Sequence, residues 1–204
     1  MKAILSDLDG VLVDSQAAIM RAWRSWGTHR GIASAAIEAI PHGRPSREVI
    51  ALLAPHLDPA AESLAVEALE VEDTDGLIAL PGAHALLALP EPVAVVTSGT
   101  HPLATTRLRR VGLPIPDVLV TPERISRGKP DPEGYRLAAH ELGVAPADCV
   151  VLEDAPAGLQ AGRAAGMRVV GITTTHDPAE LDADELAPSI AAWLARRDGA
   201  QPGS

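Results

Sequence analysis

The feature that most constrains the fold of this 204-residue sequence is a series of short apolar runs spread along its length. Each run is continuous and does not alternate with polar residues, which is typical of strands buried on both faces of a parallel sheet. Helical patterns that end at Gly112, Gly143 and Gly166 lie between the later runs. Alternation of strand and helix predicts an α/β fold. The runs are Ala3–Leu5, Val93–Val96, Val118–Val120, Cys149–Leu152 and Val169–Ile172.

The segment that follows the first run has a different character. From Ser15 to residue 79 it lacks strand-like runs and is rich in helix-forming residues. Leu80-Pro81-Gly82 marks the return to strand and helix alternation. We therefore predict a Rossmann-like parallel-sheet core formed by residues 1–14 and 80–204. A small all-helical cap domain, residues 15–79, is inserted after the first strand.

Charge and composition exclude several classes of protein. Acidic residues outnumber basic ones, 27 to 17, and the net charge of −10 argues against partners such as nucleic acid or an anionic membrane. No apolar run approaches the roughly 18 residues of a membrane span, and the N-terminus does not resemble a signal peptide. With Cys149 as its single cysteine, the chain can form no internal disulfide, so we expect a reducing, cytoplasmic location. These features leave the oligomeric state open, and a monomer is compatible with them.

Polar residues follow the strands at the points where the strands end. Asp7 and Asp9 follow the first run, Thr97-Ser98-Gly99 follows the second, and Glu153 and Asp154 follow the Cys149 run. Ligands of parallel sheets bind beyond the carboxyl ends of the strands. We therefore expect these side chains to meet in one crevice.

The residue types at these strand ends indicate two kinds of ligand. Asp7, Asp9 and Asp154 would offer oxygen donors of the kind that suits Mg²⁺, although an Asp-x-Asp pair alone is often only a solvated turn. The hydroxyls and amides of Thr97-Ser98-Gly99, just before a helix, suit an anion. Simple helix capping explains that segment equally well.

Lys129 is the sharpest single clue to function. It is one of only two lysines, with Lys2, and it lies in the proline-restrained segment Gly128-Lys129-Pro130-Asp131-Pro132. A lysine that only aids solubility does not need such a rigid loop. A lysine that neutralises both a phosphate and an acidic cluster does.

Together these segments resemble the four motifs of the haloacid dehalogenase (HAD) superfamily, in order and in spacing. The helical insertion resembles the C1-type cap of that superfamily. The segments around Thr97, Thr121 and Lys129 are similar to those of its sugar phosphatase, 2-deoxyglucose-6-phosphatase and glycerol-1-phosphatase group. The motif segments are Asp7-Leu8-Asp9-Gly10-Val11, Val95-Val96-Thr97-Ser98-Gly99, Gly128-Lys129-Pro130-Asp131-Pro132 and Glu153-Asp154-Ala155-Pro156.

The resemblance implies a catalytic role for several of these residues. Asp7 would be the nucleophile that forms an aspartyl-phosphate, and Asp9 the general acid and then the general base. Lys129 would neutralise charge on the phosphate and on the nucleophile. The phosphoryl oxygens would be held by Thr97, Ser98 and Gly99.

The resemblance also implies ligands for metal and substrate. Mg²⁺ would be held by the side chains of Asp7 and Asp154 and by the backbone carbonyl of Asp9. Glu153 would bind the metal through a water molecule or would contact the residues that bind it. In the cap, His42-Gly43-Arg44 resembles a loop that contacts the substrate. The expected function is a Mg²⁺-dependent phosphatase for a small sugar or polyol phosphate, so the expected partner is a small phosphorylated metabolite.

Two other functions stay open at this point. A β-phosphoglucomutase-like hexose-phosphate mutase would be expected to carry a histidine where this sequence has Ile19. A non-catalytic phosphosugar-binding protein would not need the full set of acids, hydroxyl and lysine. Released inorganic phosphate, isomerised sugar phosphate or binding without turnover would separate the three.

Overall fold

A parallel β-sheet lies at the centre of the larger part of the structure. The computed structural model describes residues 1–39 and 46–199. Within them, six strands form one sheet in the order β5-β4-β1-β6-β7-β8, and every neighbouring pair is parallel. β1 lies inside the sheet, where Ile4 pairs with both Val93 and Val150. The strands are β1 (Ala3–Ser6), β4 (Val93–Val96), β5 (Val118–Val120), β6 (Cys149–Glu153), β7 (Arg168–Ile172) and β8 (Glu185–Ala187).

Helices connect these strands and cover the sheet. Every residue of β1 and β6 is buried, as expected for strands packed on both faces. The prediction of an α/β fold with a parallel sheet is confirmed. The helices of this unit are α5 (Ala83–Leu87), α6 (His101–Arg110), α7 (Glu133–Glu141), α8 (Pro156–Ala164) and α9 (Ile190–Gly199).

The core of this unit is built from small aliphatic side chains because the sequence has no Phe. Two large aromatic side chains are buried in it, Trp193 of α9 at 4% exposure and Tyr135 at 1%. Tyr135 belongs to the cluster formed by the central strands with α7 and α8. Close packing of Ala, Val and Leu brings these helices near the sheet. As the one aromatic of this cluster, Tyr135 stands out as a candidate for a further role.

The chain divides into two compact units. One contains Met1–Asp14 and Ile78–Ser204, and the other contains Ser15–Leu77. A two-stranded antiparallel ladder, β2 (Val13–Asp14) with β3 (Ile78–Ala79), belongs to the first unit. Because Ile78 and Ala79 pair with β2, the chain re-enters the first unit two residues before the predicted return at position 80.

The described part of the second unit consists of helices around its own core. Trp23 and Trp26 meet edge to face, with ring centroids 5.5 Å apart, and pack with Ile50 and other apolar side chains. No helix in the described ranges is long and apolar enough to cross a membrane. The helices are α1 (Gln16–Arg30), α2 (Ser34–Glu38), α3 (Ser46–Leu53) and α4 (Pro59–Glu72).

A polar contact on Glu62 ties α4 to α1. The buried indole of Trp26 donates from Nε1 to Glu62 Oε2 at 2.6 Å, and Arg30 donates to both carboxylate oxygens at 2.9 Å. The bonds from Arg30 and then from Trp26 hold the pKa of Glu62 below its ordinary value of 4.5. The ionised carboxylate therefore stabilises the folded helices more than the protonated one does.

The stability of the second unit should consequently fall in acid. The contribution of Glu62 is fully present above its unfolded pKa and is lost as the pH falls through the lower folded pKa. Urea denaturation followed by tryptophan fluorescence at a series of pH values below 7 measures it. In Glu62→Gln we expect lower stability at pH 7 and a flatter acid dependence. Equal acid slopes for the two proteins would contradict this account.

Candidate active site

The ends of three neighbouring strands bring the acidic and hydroxyl residues to one edge of the sheet. Asp7 follows β1 directly, and its amide donates to the carbonyl of Leu152 in β6 at 2.9 Å. Thr97 follows β4, and its amide donates to Val120 in β5 at 3.0 Å. Because β1, β4 and β6 are parallel neighbours, the residues that follow them lie at the same sheet edge.

Three carboxylates form a compact cluster at this edge. Asp7, Glu153 and Asp154 each present an oxygen, and these oxygens lie within 4.8 Å of one another. Glu153 and Asp154 are buried, with exposures of 0% and 6%. Buried carboxylates repel one another strongly unless a cation lies between them.

Electrostatics indicates that this cluster suits a cation. Burial, followed by the charge of Glu153, raises the pKa of Asp7 well above its ordinary range. Burial, again followed by Glu153, raises the pKa of Asp154 to about 7. A divalent ion would offset this repulsion, and oxygen-only donors of this kind are the ones that Mg²⁺ prefers. The residues therefore fit a Mg²⁺ site.

Lys129 supplies a positive charge at the same place. Its Nζ lies 2.9 Å from Asp7 Oδ1 and 2.6 Å from Glu153 Oε1, and it donates to the carbonyl of Val96 at 3.0 Å. Burial would lower the pKa of this ammonium, but the charges of Asp7 and Glu153 outweigh that effect and raise its pKa. Lys129 therefore carries its charge throughout the physiological pH range.

Glu153 is held from several sides and anchors Lys129. The Tyr135 hydroxyl donates to Glu153 Oε1 at 2.7 Å, and the amide of Asp154 donates to Oε2 at 3.3 Å. The carboxylate also lies directly over Gly158 of α8, where any side chain would overlap it. Sequence reasoning missed Tyr135, and its only available signal was that it is the sole tyrosine, on the helix that follows Lys129.

The loop that follows β4 has the features of an anion site. Thr97 is buried, and its Oγ1 accepts a hydrogen bond from the amide of Gly99 at 3.1 Å, while Ser98 is exposed. The amide of His101, at the start of α6, donates to Glu123 Oε1 at 3.0 Å. Since a carboxylate already takes that amide, the groups available to an anion are those of the loop before α6.

Two further contacts surround the acids. Arg107 of α6 donates from Nη1 to Asp9 Oδ2 at 2.5 Å. On the other side, the Thr175 hydroxyl, in the loop after β7, donates to the carboxylate of Asp154. Gly10 allows that approach, because a side chain there would overlap Asp154 and Thr175. Sequence reasoning missed both Arg107 and Thr175. Arg107 lies inside a helix that no strand end marks, whereas Thr175 follows the predicted Val169–Ile172 strand and could have been found from that position.

Comparison with known proteins identifies the family. The model of the haloacid dehalogenase-like hydrolase family matches residues 1–166. The chain belongs to this family. The resemblance found in the sequence motifs is thereby confirmed.

Two named phosphatases and one solved structure are similar to this chain over most of their length. Hexitol phosphatase A of Escherichia coli is 44% identical over 91% of this chain and 89% of its own. Validoxylamine A 7′-phosphate phosphatase of Streptomyces hygroscopicus is 39% identical over 93% and 94%. A crystal structure of a hydrolase from Pseudomonas syringae, 26% identical, superposes with a TM-score of 0.85 over 99% of this chain and 100% of that chain.

One predicted substrate loop of this haloacid dehalogenase-like protein lies outside the described residues. His42, Gly43 and Arg44 fall between residues 39 and 46, so their contact with the substrate stays a prediction. The other predicted site residues are all described. The structure brings Asp7, Lys129, Glu153 and Asp154 into direct contact or close proximity.

Proposed function

We propose that this protein is a Mg²⁺-dependent phosphatase that hydrolyses a small sugar or polyol phosphate through an aspartyl-phosphate on Asp7. One observation carries the proposal. The Lys129 ammonium lies between Asp7 and Glu153, beside a third carboxylate, Asp154. A carboxylate that attacks a phosphate dianion needs such positive charge, because otherwise the two anions repel each other.

The names of the relatives support both the reaction and the substrate class. The chain is a phosphatase of the haloacid dehalogenase-like family, a hydrolase of phosphoric monoesters. The E. coli relative is named for hexitol phosphates and the Streptomyces relative for a phosphorylated validoxylamine. Both names denote phosphatases, the first for a polyol phosphate, which supports a small phosphorylated metabolite as the substrate.

The acids at the sheet edge would share the work of holding the metal. Asp7 and Asp154 would bind Mg²⁺ through their carboxylates, and Asp9 through its backbone carbonyl. Glu153 was predicted among the metal residues, and its contacts with Lys129 and Tyr135 favour an indirect role as the anchor of Lys129. When bound, Mg²⁺ supplies positive charge that reduces the repulsion between nucleophile and phosphate.

In the first step, a carboxylate oxygen of Asp7 attacks the phosphorus atom, and the bond between phosphorus and the alcohol oxygen breaks. Asp9 donates a proton to that oxygen, so the product leaves as an alcohol and not as an alkoxide. Thr97, Ser98 and Gly99 hold the phosphoryl oxygens through hydroxyl and amide groups. Lys129 keeps its position against Asp7 and neutralises the charge gathered there.

In the second step, the carboxylate of Asp9 takes a proton from a water molecule. The oxygen of that water attacks the phosphorus of the aspartyl-phosphate, and the bond from phosphorus to Asp7 breaks. Inorganic phosphate leaves, and both carboxyl groups regain their starting states. Asp9 therefore acts as acid and then as base within one turnover.

A panel of sugar and polyol phosphates, assayed with Mg²⁺ and with EDTA, tests the proposal. We expect release of inorganic phosphate from one or more members of the panel with Mg²⁺. We expect loss of activity with EDTA, and full recovery when excess Mg²⁺ is restored. Isomerised sugar phosphate in place of free phosphate would favour the mutase instead. Binding without turnover across the panel would favour a binding protein.

A further inference from the structure

The position of Arg107 is unusual for an arginine in this protein. Among the arginines that the structure describes, it alone is buried, with 3% of its side chain exposed. Burying a guanidinium is costly unless charged or hydrogen-bonding partners surround it. The partners of Arg107 therefore indicate what the side chain does in the protein.

One of those contacts reaches a candidate catalytic group. Arg107 Nη1 lies 2.5 Å from Asp9 Oδ2, and the Asp9 side chain remains 25% exposed. The two residues are 98 positions apart, so the tertiary fold creates this contact. A buried cation thus holds a partly accessible carboxylate.

The helix that carries Arg107 is firmly anchored. Leu103, Ala104 and Leu108 of α6 are buried, and their spacing places them on the same face of the helix as Arg107. The Thr105 hydroxyl donates to the carbonyl of His101 at 2.9 Å. A planar guanidinium on such a helix has few alternative positions, so it can define where its partner lies.

We propose that Arg107 is a positioning residue that holds the Asp9 side chain where it protonates the leaving oxygen. This inference rests on the proposed function, in which Asp9 is the general acid. Proton transfer requires the acid to lie within hydrogen-bond distance of the leaving oxygen. A displacement of about 1 Å is enough to lower the rate by up to about 100-fold.

The leaving group provides the decisive test. A polyol phosphate releases a poor leaving group that needs protonation, whereas p-nitrophenyl phosphate releases a stable phenolate that does not. For Arg107→Met we expect kcat/KM for the polyol phosphate to fall by about 10- to 100-fold. This loss is at or below the lower limit of the roughly 10²- to 10⁴-fold that general acid catalysis contributes, since the acid is displaced and not removed. For p-nitrophenyl phosphate we expect a decrease of less than about threefold, because that step makes little use of the acid.

Three other variants complete the experiment. Arg107→Lys keeps the charge with a different reach, and we expect it to recover part of the lost kcat/KM for the polyol phosphate. Arg110→Met alters an exposed arginine of the same helix and should leave kcat/KM for both substrates unchanged. In an Asp9→Asn background, Arg107→Met should cause no further loss with the polyol phosphate, because the residue through which it acts is already gone.

The outcomes separate this inference from the proposed function. Equal losses with both substrates, or a full loss that persists in the Asp9→Asn background, would overturn the positioning role while leaving the phosphatase intact. Unaltered kinetics in Arg107→Met would do the same. Wild-type protein that turns over neither substrate with Mg²⁺ would overturn both. If Arg107→Met does not fold, Arg107→Lys takes its place. A decrease in kcat/KM confined to the polyol phosphate would then support the positioning role, and equal or absent decreases would overturn it.

Discussion

Replacing Asp7 by Asn is expected to reduce phosphate release by at least about four orders of magnitude, the scale seen when a nucleophile is removed. Asn keeps the size of the side chain but offers no carboxylate to attack phosphorus. Lys129 also loses one of its two acidic partners, although Glu153 still holds it at 2.6 Å. The loss should therefore come from missing chemistry, with the site otherwise in place.

The missing intermediate can be observed directly. Wild-type protein mixed with substrate and Mg²⁺ and quenched in acid should contain a fraction heavier by one phosphoryl group, and Asp7→Asn should contain none. The same change at Asp117, an exposed aspartate just before β5, serves as the control and should keep full activity. An Asp7→Asn protein that retained normal turnover, or that still became phosphorylated, would show that another residue is the nucleophile.

The sheet and its order of motifs could be predicted because each internal strand carries its own signal. Ala3–Leu5 and Cys149–Leu152 are continuous apolar runs, and such runs have no stable place except between two covered faces. The glycines after the helices add local stop signals, and Gly112 indeed takes a positive φ beyond α6. Strand ends then locate the acids, since parallel neighbours end at one edge.

Elements without a local signal could not be predicted. β8 is an edge strand, Glu185-Leu186-Ala187, in which only Ala187 is buried, so no apolar run marks it. The same applies to Tyr135 and Arg107, whose importance depends on partners 18 and 98 positions away. Single side chains that reach across the fold leave no periodicity in the sequence.

Lys129→Met should affect stability and activity for two separable reasons. In stability, the change leaves Glu153, with a side chain only 1% exposed, without its positive partner. Removing one member of a buried ion pair typically destabilises by about 3–5 kcal/mol. In activity, the site loses the charge that offsets the attack of one anion on another, and we expect kcat to fall by at least about 10²- to 10³-fold.

A second substitution should separate these two effects. In Lys129→Met combined with Glu153→Gln, the buried negative charge of Glu153 is gone, while the Gln side chain can still accept a hydrogen bond from Tyr135. We expect most of the lost stability to return and the activity to stay low. Urea denaturation in EDTA measures the stability without interference from bound metal, and phosphate release with excess Mg²⁺ measures the activity. Lys2→Met, at the other lysine of the chain, is the matched control, since Lys2 is 70% exposed and its pair with Asp148 lies at the surface. If Lys129→Met alone were as stable as wild type, the burial of the Glu153 carboxylate would not require the positive charge of Lys129. If the double variant regained activity together with stability, the role of Lys129 would be structural and not chemical.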